Sequence, residues 1–128
     1  MGTRFVRAGS LALLVLLSIA NTGARAFQAS GSSQDRTVVK ISAERFTFTP
    51  SRVTVKRGTV IEFRLRSEDT NHGFKIVGSS ANVIIPKRGR GEATLTFTAD
   101  TPGRYNFECS KMCGAGHSFM RGEIVVEE

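Results

Sequence analysis

The stretch Thr59–Arg66, TVIEFRLR, contains the alternation that decides the fold class. Its apolar residues Ile61, Phe63 and Leu65 occupy every second position, and charged residues stand between them. Because successive side chains of a strand point to opposite faces, this pattern predicts a strand with one buried and one solvated face. Residues 93–98, ATLTFT, repeat the alternation with threonine on the polar face.

Short runs rich in Val, Ile, Thr and Phe recur on both sides of this stretch, separated by Gly, Pro, Asn and Ser. No window beyond the first 26 residues has a sustained 3.6-residue apolar period. About eight short strands in roughly 100 residues predict an all-β fold, an antiparallel β-sandwich. The predicted strands cover residues 37–42, 45–49, 52–56, 59–66, 74–77, 82–85, 93–98, 104–109 and 122–127.

The first 26 residues have the layout of a secretory signal peptide. Arg4 and Arg7 precede an apolar run at Leu11–Ala20, and Ala24 and Ala26 frame a cleavage site. The run is about half as long as the roughly 20 residues of a membrane-spanning helix. We therefore expect cleavage after Ala26, export to the periplasm or the extracellular space, and no membrane span afterwards. Only a retained signal segment would anchor the protein to a membrane.

Residues 27–36, FQASGSSQDR, are polar and lack periodicity, and we interpret them as a linker before a single domain at 37–128. Without the signal segment the chain has 15 basic and 11 acidic residues, a net charge of +4 against +7 for the full chain. Its one basic cluster, Lys87-Arg88-Gly89-Arg90, has no interleaved aromatic residues. This cluster favours a solvated loop over a nucleic-acid site, and an edge that orients an acidic protein remains an alternative.

The segment Cys109–Met120, CSKMCGAGHSFM, holds both cysteines, one of the two histidines and one of the three methionines. Two cysteines in an exported protein first suggest a disulfide. Thiolate, imidazole and thioether groups together instead favour a transition metal over calcium or magnesium. The second histidine, His72, follows the TVIEFRLR strand and is expected in a loop.

The chemistry of this donor set leaves several metal sites open. A Cys2His2 zinc site would have no use for Met120. A mononuclear blue-copper site needs two histidines, one cysteine and a weak methionine, which makes Cys109 surplus. Two thiolates four residues apart could alternatively bridge two copper ions.

The pattern C-S-x-x-C-G-x-x-H-S-F-M resembles the dinuclear CuA loop of cytochrome c oxidase subunit II. The tetrapeptide Asn71–Phe74, NHGF, resembles the first-histidine motif of that domain and of the related domain in nitrous oxide reductase. The resemblance extends over residues 37–128 and implies a cupredoxin-like Greek-key β-sandwich with two copper ions. It also implies that the two cysteines bridge both ions and that each histidine binds one, with a methionine thioether and a backbone carbonyl as weak axial ligands. The implied ligands are His72, Cys109, Lys111 through its carbonyl, Cys113, His117 and Met120.

The resemblance further implies one-electron transfer with a redox protein such as a c-type cytochrome or a terminal oxidase or reductase. No general base, nucleophile or open substrate position is identifiable, so an oxidoreductase role would come through a larger assembly. A copper chaperone or storage protein and a mononuclear cupredoxin are the alternatives. Phe74 and Phe119 are expected to pack around the ligand loops, and Met112 to shield the site from water.

Three features depart from subunit II. The family carries a pair of N-terminal transmembrane helices, whereas this chain has a signal-like segment. Lys111 replaces the glutamate whose side chain helps to bind magnesium next to the haem subunit, although the backbone carbonyl is retained. The chain also lacks tryptophan, which is the entry point for electrons in the family.

Overall fold

The computed structural model describes Gly2 and residues 34–128, and its strands all belong to one unit, Ser32–Glu128. The predicted signal peptide and most of the predicted linker lie outside the described residues. Nine strands and one 3-10 turn, His117–Phe119, make up the domain. The strands are β1 (Arg36–Glu44), β2 (Thr47–Thr49), β3 (Arg52–Lys56), β4 (Val60–Ser67), β5 (His72–Ile76), β6 (Asn82–Ile85), β7 (Ala93–Thr98), β8 (Gly103–Glu108) and β9 (Arg121–Glu127).

The strands form two sheets, which confirms the predicted all-β sandwich. One sheet has the order β2-β1-β4-β7 and the other the order β3-β9-β8-β5-β6. The expectation of purely antiparallel pairing is wrong, because β1 pairs with β4 and β3 pairs with β9 in parallel. Alternation along a strand reports its two faces but not the direction of its neighbour, so the sequence pattern could not distinguish these cases.

The alternation in β4 places Ile61, Phe63 and Leu65 in the core, each without solvent exposure. The inner face of the other sheet contributes Phe74 from β5 and Phe107 from β8, whose ring centroids lie 4.8 Å apart. The two sheets meet through these aromatic and aliphatic side chains. The contact between Phe74 and Phe107 fixes the inward faces of β5 and β8 relative to one another.

One end of the sandwich collects the segments in which the ligands were predicted. There β1 and β4 end, β5 begins, β8 ends and β9 begins. The structure corrects the expectation that His72 lies in a loop, since it is the first residue of β5 and pairs with Ile85 of β6. Among the described residues, no helix is long and apolar enough to cross a bilayer.

Candidate copper centre

His72 and Cys109 continue the inward-facing rows of side chains of β5 and β8 at the same end of the domain. His72 stands two residues before Phe74, and Cys109 two residues after Phe107, so both side chains follow the inward faces of their strands. His72 is fully buried and Cys109 is 5% exposed. The Nδ1 atom of His72 lies 3.9 Å from the Sγ atom of Cys109. Strand periodicity therefore brings together two donors that are 37 residues apart in the chain.

The loop from Cys109 to Met120 is closed at its base. The backbone N–H of Cys109 donates to the carbonyl of Met120 over 3.0 Å, and the sequence continues into β9 at Arg121. The 3-10 turn at His117 folds the second half of the loop back toward the first, with the Met120 N–H donating to the His117 carbonyl. Met120 is 1% exposed, so its thioether lies inside the domain.

The structure brings all six predicted ligand residues to this end. The Sγ atoms of Cys109 and Cys113 belong to free thiols and lie 3.6 Å apart. The Cys113 sulfur is 3.7 Å from Nδ1 of His117 and 3.9 Å from Sδ of Met120. The carbonyl oxygen of Lys111 lies 3.1 Å from the Cys109 sulfur.

Within the described residues, three donors form a tight group that could hold a metal ion, with ligand atoms within 4.8 Å of one another. They are His72, Cys109 and Cys113, and all three are buried. Two thiols and an imidazole suit a soft or borderline cation, and the neighbouring second imidazole and thioether belong to the same chemical class. This donor chemistry fits copper.

Asp69 orients His72. One of its carboxylate oxygens lies 2.6 Å from Nε2 of His72, and its other oxygen accepts a hydrogen bond from the backbone N–H of Arg45. Burial opposes the charge of Asp69, but hydrogen bonds from His72 and from the Arg45 and Thr70 backbones outweigh it and lower its pKa to about 2. An ionised Asp69 can only accept, so the proton of a neutral His72 sits on Nε2 and the Nδ1 lone pair faces the sulfurs.

The turn between β1 and β2 supports both ligand segments. Besides its contact with Asp69, Arg45 donates from its guanidinium Nε to the carbonyl of Cys113 over 2.7 Å. The ring of Phe46 covers the loop backbone so closely that a Cβ at Gly116 would lie 2.5 Å from its Cγ atom. A Cβ at Gly114 would lie 2.9 Å from the same ring.

Sequence reasoning missed these supporting residues. A carboxylate three positions before a candidate ligand histidine is a local signal that could have identified Asp69. Arg45 and Phe46 gave no such signal, because their contacts with the ligand loop bridge 68 or more positions of the chain. The ring of Phe46 explains why glycine occupies positions 114 and 116, because a side chain at either position would displace that ring.

The Cys113 thiol is held in its protonated form when no cation is present. Burial raises the pKa of Cys113 to about 11, and the adjacent Cys109 sulfur adds to the effect. Any metal that binds the thiolates must displace these protons, so metal affinity should increase with pH.

Two expectations about the surroundings of the site are wrong. Met112 is 74% exposed and cannot shield the site, and Phe119 is 76% exposed and does not pack around the loops. Phe74 is buried as a packing residue, but its contacts are with the core rings of Phe48, Phe63 and Phe107. Met112 and Phe119 both lie in the ligand loop, each next to a buried donor, Cys113 or Met120. The path of the loop that buries these donors leaves the neighbouring apolar side chains in solvent.

The contact between Phe46 and the loop can be tested with a double-mutant cycle. We expect Gly116→Ala to lower the free energy of unfolding by about 1–3 kcal/mol, the usual cost of overpacking. Phe46→Ala removes the obstructing ring, so the loss caused by G116A should largely disappear in the F46A background. Denaturant unfolding of the four copper-free proteins measures this coupling, and strictly additive effects would contradict the contact.

The low pKa of Asp69 predicts a specific loss of stability in acid. Its folded pKa of about 2 lies below the ordinary value of 3.8, so its stabilisation is complete above about pH 5 and decreases as the pH falls through 3.8 toward 2. The loss is expected to be about 1–2 kcal/mol. Asp69→Asn should be less stable at pH 7 and should show a flatter dependence between pH 4 and 2. Chemical denaturation at several pH values measures both curves, and parallel curves would contradict the assignment.

Comparison with known proteins agrees with this geometry. The cupredoxin-like domain family matches the chain over residues 9–126. The cytochrome c oxidase subunit 2 of Thermus thermophilus is 38% identical over 92 residues, which cover 70% of this chain and 65% of that protein. A second subunit 2 sequence from the same species is matched over 52% of its length, so the chain spans about half to two thirds of these relatives.

Solved structures show the same fold. A chain of a heme-copper terminal oxidase dimer superposes with a TM-score of 0.63 at 28% identity, over 77% of this chain and 68% of that chain. The periplasmic domain of cytochrome oxidase subunit II from Bradyrhizobium japonicum has a TM-score of 0.64 at 20% identity, over 71% of this chain and 83% of that domain. At that identity the second likeness concerns the fold alone.

Proposed function

The chain belongs to the cupredoxin-like domain family, in the branch of the subunit II copper domains, and from this premise we propose that it is an electron-transfer protein with a dinuclear CuA-type centre. Copper binding follows from the family and from the buried His72, Cys109 and Cys113 group. We add to this, as a proposal, that the site holds two copper ions, that all six predicted ligand residues bind them, and that the centre transfers electrons.

One observation carries the count of two. The two sulfurs lie 3.6 Å apart, and each has a different imidazole beside it: His72 beside Cys109, and His117 beside Cys113. A mononuclear centre would use one thiolate and would leave the second, equally buried thiol without a role. The weak donors are distributed in the same way, since the Lys111 carbonyl lies at Cys109 and the Met120 thioether at Cys113.

The surrounding residues suit a centre that exchanges electrons with little movement. Asp69 fixes the ring of His72, while Arg45 and Phe46 hold the Cys113 carbonyl and the loop glycines. Copper bound here would supply a one-electron redox couple. The protein's contribution is to keep the donors in one arrangement in both redox states, which reduces the reorganisation that each transfer requires.

The cellular setting belongs to the same proposal. The sequence pattern of residues 1–26 favours export, with residues 37–128 as the working domain. A redox protein such as a c-type cytochrome or a terminal oxidase or reductase would be its partner. A role within an oxidase complex is supported by the subunit 2 relatives, of which the chain spans only part.

Copper stoichiometry with an absorption spectrum tests the proposal. Protein reconstituted with Cu(II) while its cysteines are kept reduced should bind two copper ions per chain and become purple. Reversible one-electron reduction with copper retained should follow in a spectroelectrochemical titration. A blue protein with one copper ion would identify a mononuclear cupredoxin. Loss of copper to an acceptor protein on each cycle would identify a copper chaperone or storage protein.

A further inference from the structure

We propose that the end of the sandwich that carries the candidate copper centre docks an acidic redox protein through an exposed apolar patch beside a basic loop. The inference rests on the proposed electron-transfer function and adds the chemical class of the partner to it. It rests on three observations: where the exposed apolar side chains lie, where the exposed cations lie, and how the basic loop is attached to the ligand segment.

The apolar patch consists of Ile84, Met112 and Phe119. Five large hydrophobic residues are exposed in the part of the chain that the structure describes, and these three lie in or beside the ligand segments, with exposed fractions of 51%, 74% and 76%. Ile84 pairs with Gly73, whose missing Cβ would face the backbone nitrogen atoms of Ser110 and Lys111. Ile84 is therefore on the same sheet face as the start of the ligand loop.

The cations lie in two segments that contain no carboxylate. Residues 85–91 carry Lys87, Arg88 and Arg90, and residues 109–121 carry Lys111 and Arg121. All five side chains are exposed. The nearest carboxylates in sequence, Glu92 and Glu108, lie outside both segments, and Glu108 is the register partner of both Lys75 and Arg121. Because Arg121 stands opposite Glu108, the exposed cations at the copper end that carry the proposal are Lys87, Arg88, Arg90 and Lys111.

The basic loop, defined as residues 87–90, is attached to the segment that leads into His72. The backbone N–H of Lys87 donates to Oδ1 of Asn71 over 2.7 Å, and that of Arg88 donates to the carbonyl of Asp69 over 3.1 Å. The acids of this segment are already engaged, since Asp69 binds His72 and Glu68 binds Arg66. These hydrogen bonds hold the basic loop beside the centre. Arg88 lines one cavity with Glu68 and Glu92, whereas Lys87 and Arg90 make no ion pair within the described residues.

An acidic protein fits this arrangement better than other occupants. Cations around an apolar patch steer an oppositely charged partner to the patch and accelerate its association, while the apolar side chains exclude water at the contact. A second copy of the chain would present the same positive rim and would be repelled. The closest approach would place the partner's redox group next to His117, which is only partly buried.

Electron-transfer kinetics with two c-type cytochromes of opposite surface charge test the proposal. The copper-loaded protein should react faster with the acidic cytochrome, and this rate should fall about tenfold or more between low and roughly 0.5 M salt. Arg88→Glu with Arg90→Glu should lower the low-salt rate roughly tenfold. Met112→Ser with Phe119→Ser should lower the rate at every salt concentration without changing the slope.

Lys56→Glu with Arg57→Glu is the matched control. It changes the net charge by the same amount, but the two residues lie in the turn after β3, beside the end of β9. The ligand loop, in contrast, leads into the start of β9. This pair should change the rate by less than about twofold. In the copper-free protein, amide chemical shifts of residues 84–91 and 110–119 should move on titration with the acidic cytochrome.

Equal effects of the two charge-reversal pairs, a faster reaction with the basic cytochrome, or shift changes elsewhere would overturn the docking surface. So would association with anionic vesicles, or with a second copy, in place of the acidic cytochrome. Reversible reduction by a small-molecule mediator separates this failure from that of the proposed function. A protein that cycles normally with the mediator but ignores the acidic cytochrome refutes only the docking surface.

Discussion

Replacing Cys109 by serine is expected to reduce the copper content from the proposed two ions per chain to at most one and to abolish the purple spectrum expected of the parent. The Cys109 sulfur is the only atom among the described residues that lies beside the His72 imidazole, the second thiol and the Lys111 carbonyl together. Removing it leaves Cys113, His117 and Met120, which could still hold a single copper ion. Copper analysis with absorption spectroscopy measures both changes.

Ser118→Ala is the matched control for this substitution. Ser118 lies exposed in the same loop, and its backbone carbonyl, which the substitution keeps, accepts the hydrogen bond from Arg121. The control should retain two copper ions and the spectrum of the parent. Two copper ions and an unchanged spectrum in C109S would show that Cys109 does not bridge the ions.

Gly73→Ala is expected to displace the start of the ligand loop and to weaken both the fold and the copper site. A Cβ at this position would lie 2.7 Å from the backbone nitrogen of Lys111 and 2.8 Å from that of Ser110. Because backbone cannot rotate away as a side chain can, the loop itself has to shift. We expect a loss of about 1–3 kcal/mol in the free energy of unfolding. A larger relative loss in copper retention should accompany it, since Gly73 also donates its N–H to the Cys109 sulfur.

The double variant Gly73→Ala with Ser110→Gly identifies the cause. A Cβ at position 73 would also collide with the Ser110 hydroxyl, and this part of the clash disappears in the double variant. The collision with backbone remains, so stability and copper retention should recover only slightly. Full recovery would mean that the side chain alone caused the effect. S110G by itself should retain its copper.

The fold class could be predicted from the sequence because its determinants are local. Alternation in Thr59–Arg66 and in residues 93–98 identified β4 and β7 and their buried faces. The parallel pairing of β1 with β4 depends on which strands become neighbours, and nothing within either strand reports that. The strand predicted at 45–49 begins only at Thr47, because Arg45 and Phe46 form the turn that contacts the ligand loop.

The candidate site shows the same division between local and distant information. Its side-chain donors could be listed from the composition of CSKMCGAGHSFM and from His72, and the Lys111 carbonyl from the resemblance to subunit II. The structure places all of them at one end. What could not be predicted is the support around them. Arg45 and Phe46 act through contacts with the ligand loop that only the folded sheets create. Asp69 alone had a local signal, because it stands three residues before His72. The exposure of Met112 and Phe119 likewise depends on the path of the loop.

The hydrogen bond between Cys109 and Met120 that closes the base of the ligand loop has a thermodynamic consequence. Folding of β8 and β9 already brings the two ends of the loop together, so the entropy of loop closure is lost before any metal arrives. His72 is likewise ordered by its strand. Copper therefore binds to a chain whose conformational freedom has largely been removed, and its release should leave the sandwich folded. Metal binding is therefore not coupled to folding in this domain, unlike in small folds that form only when they bind a metal.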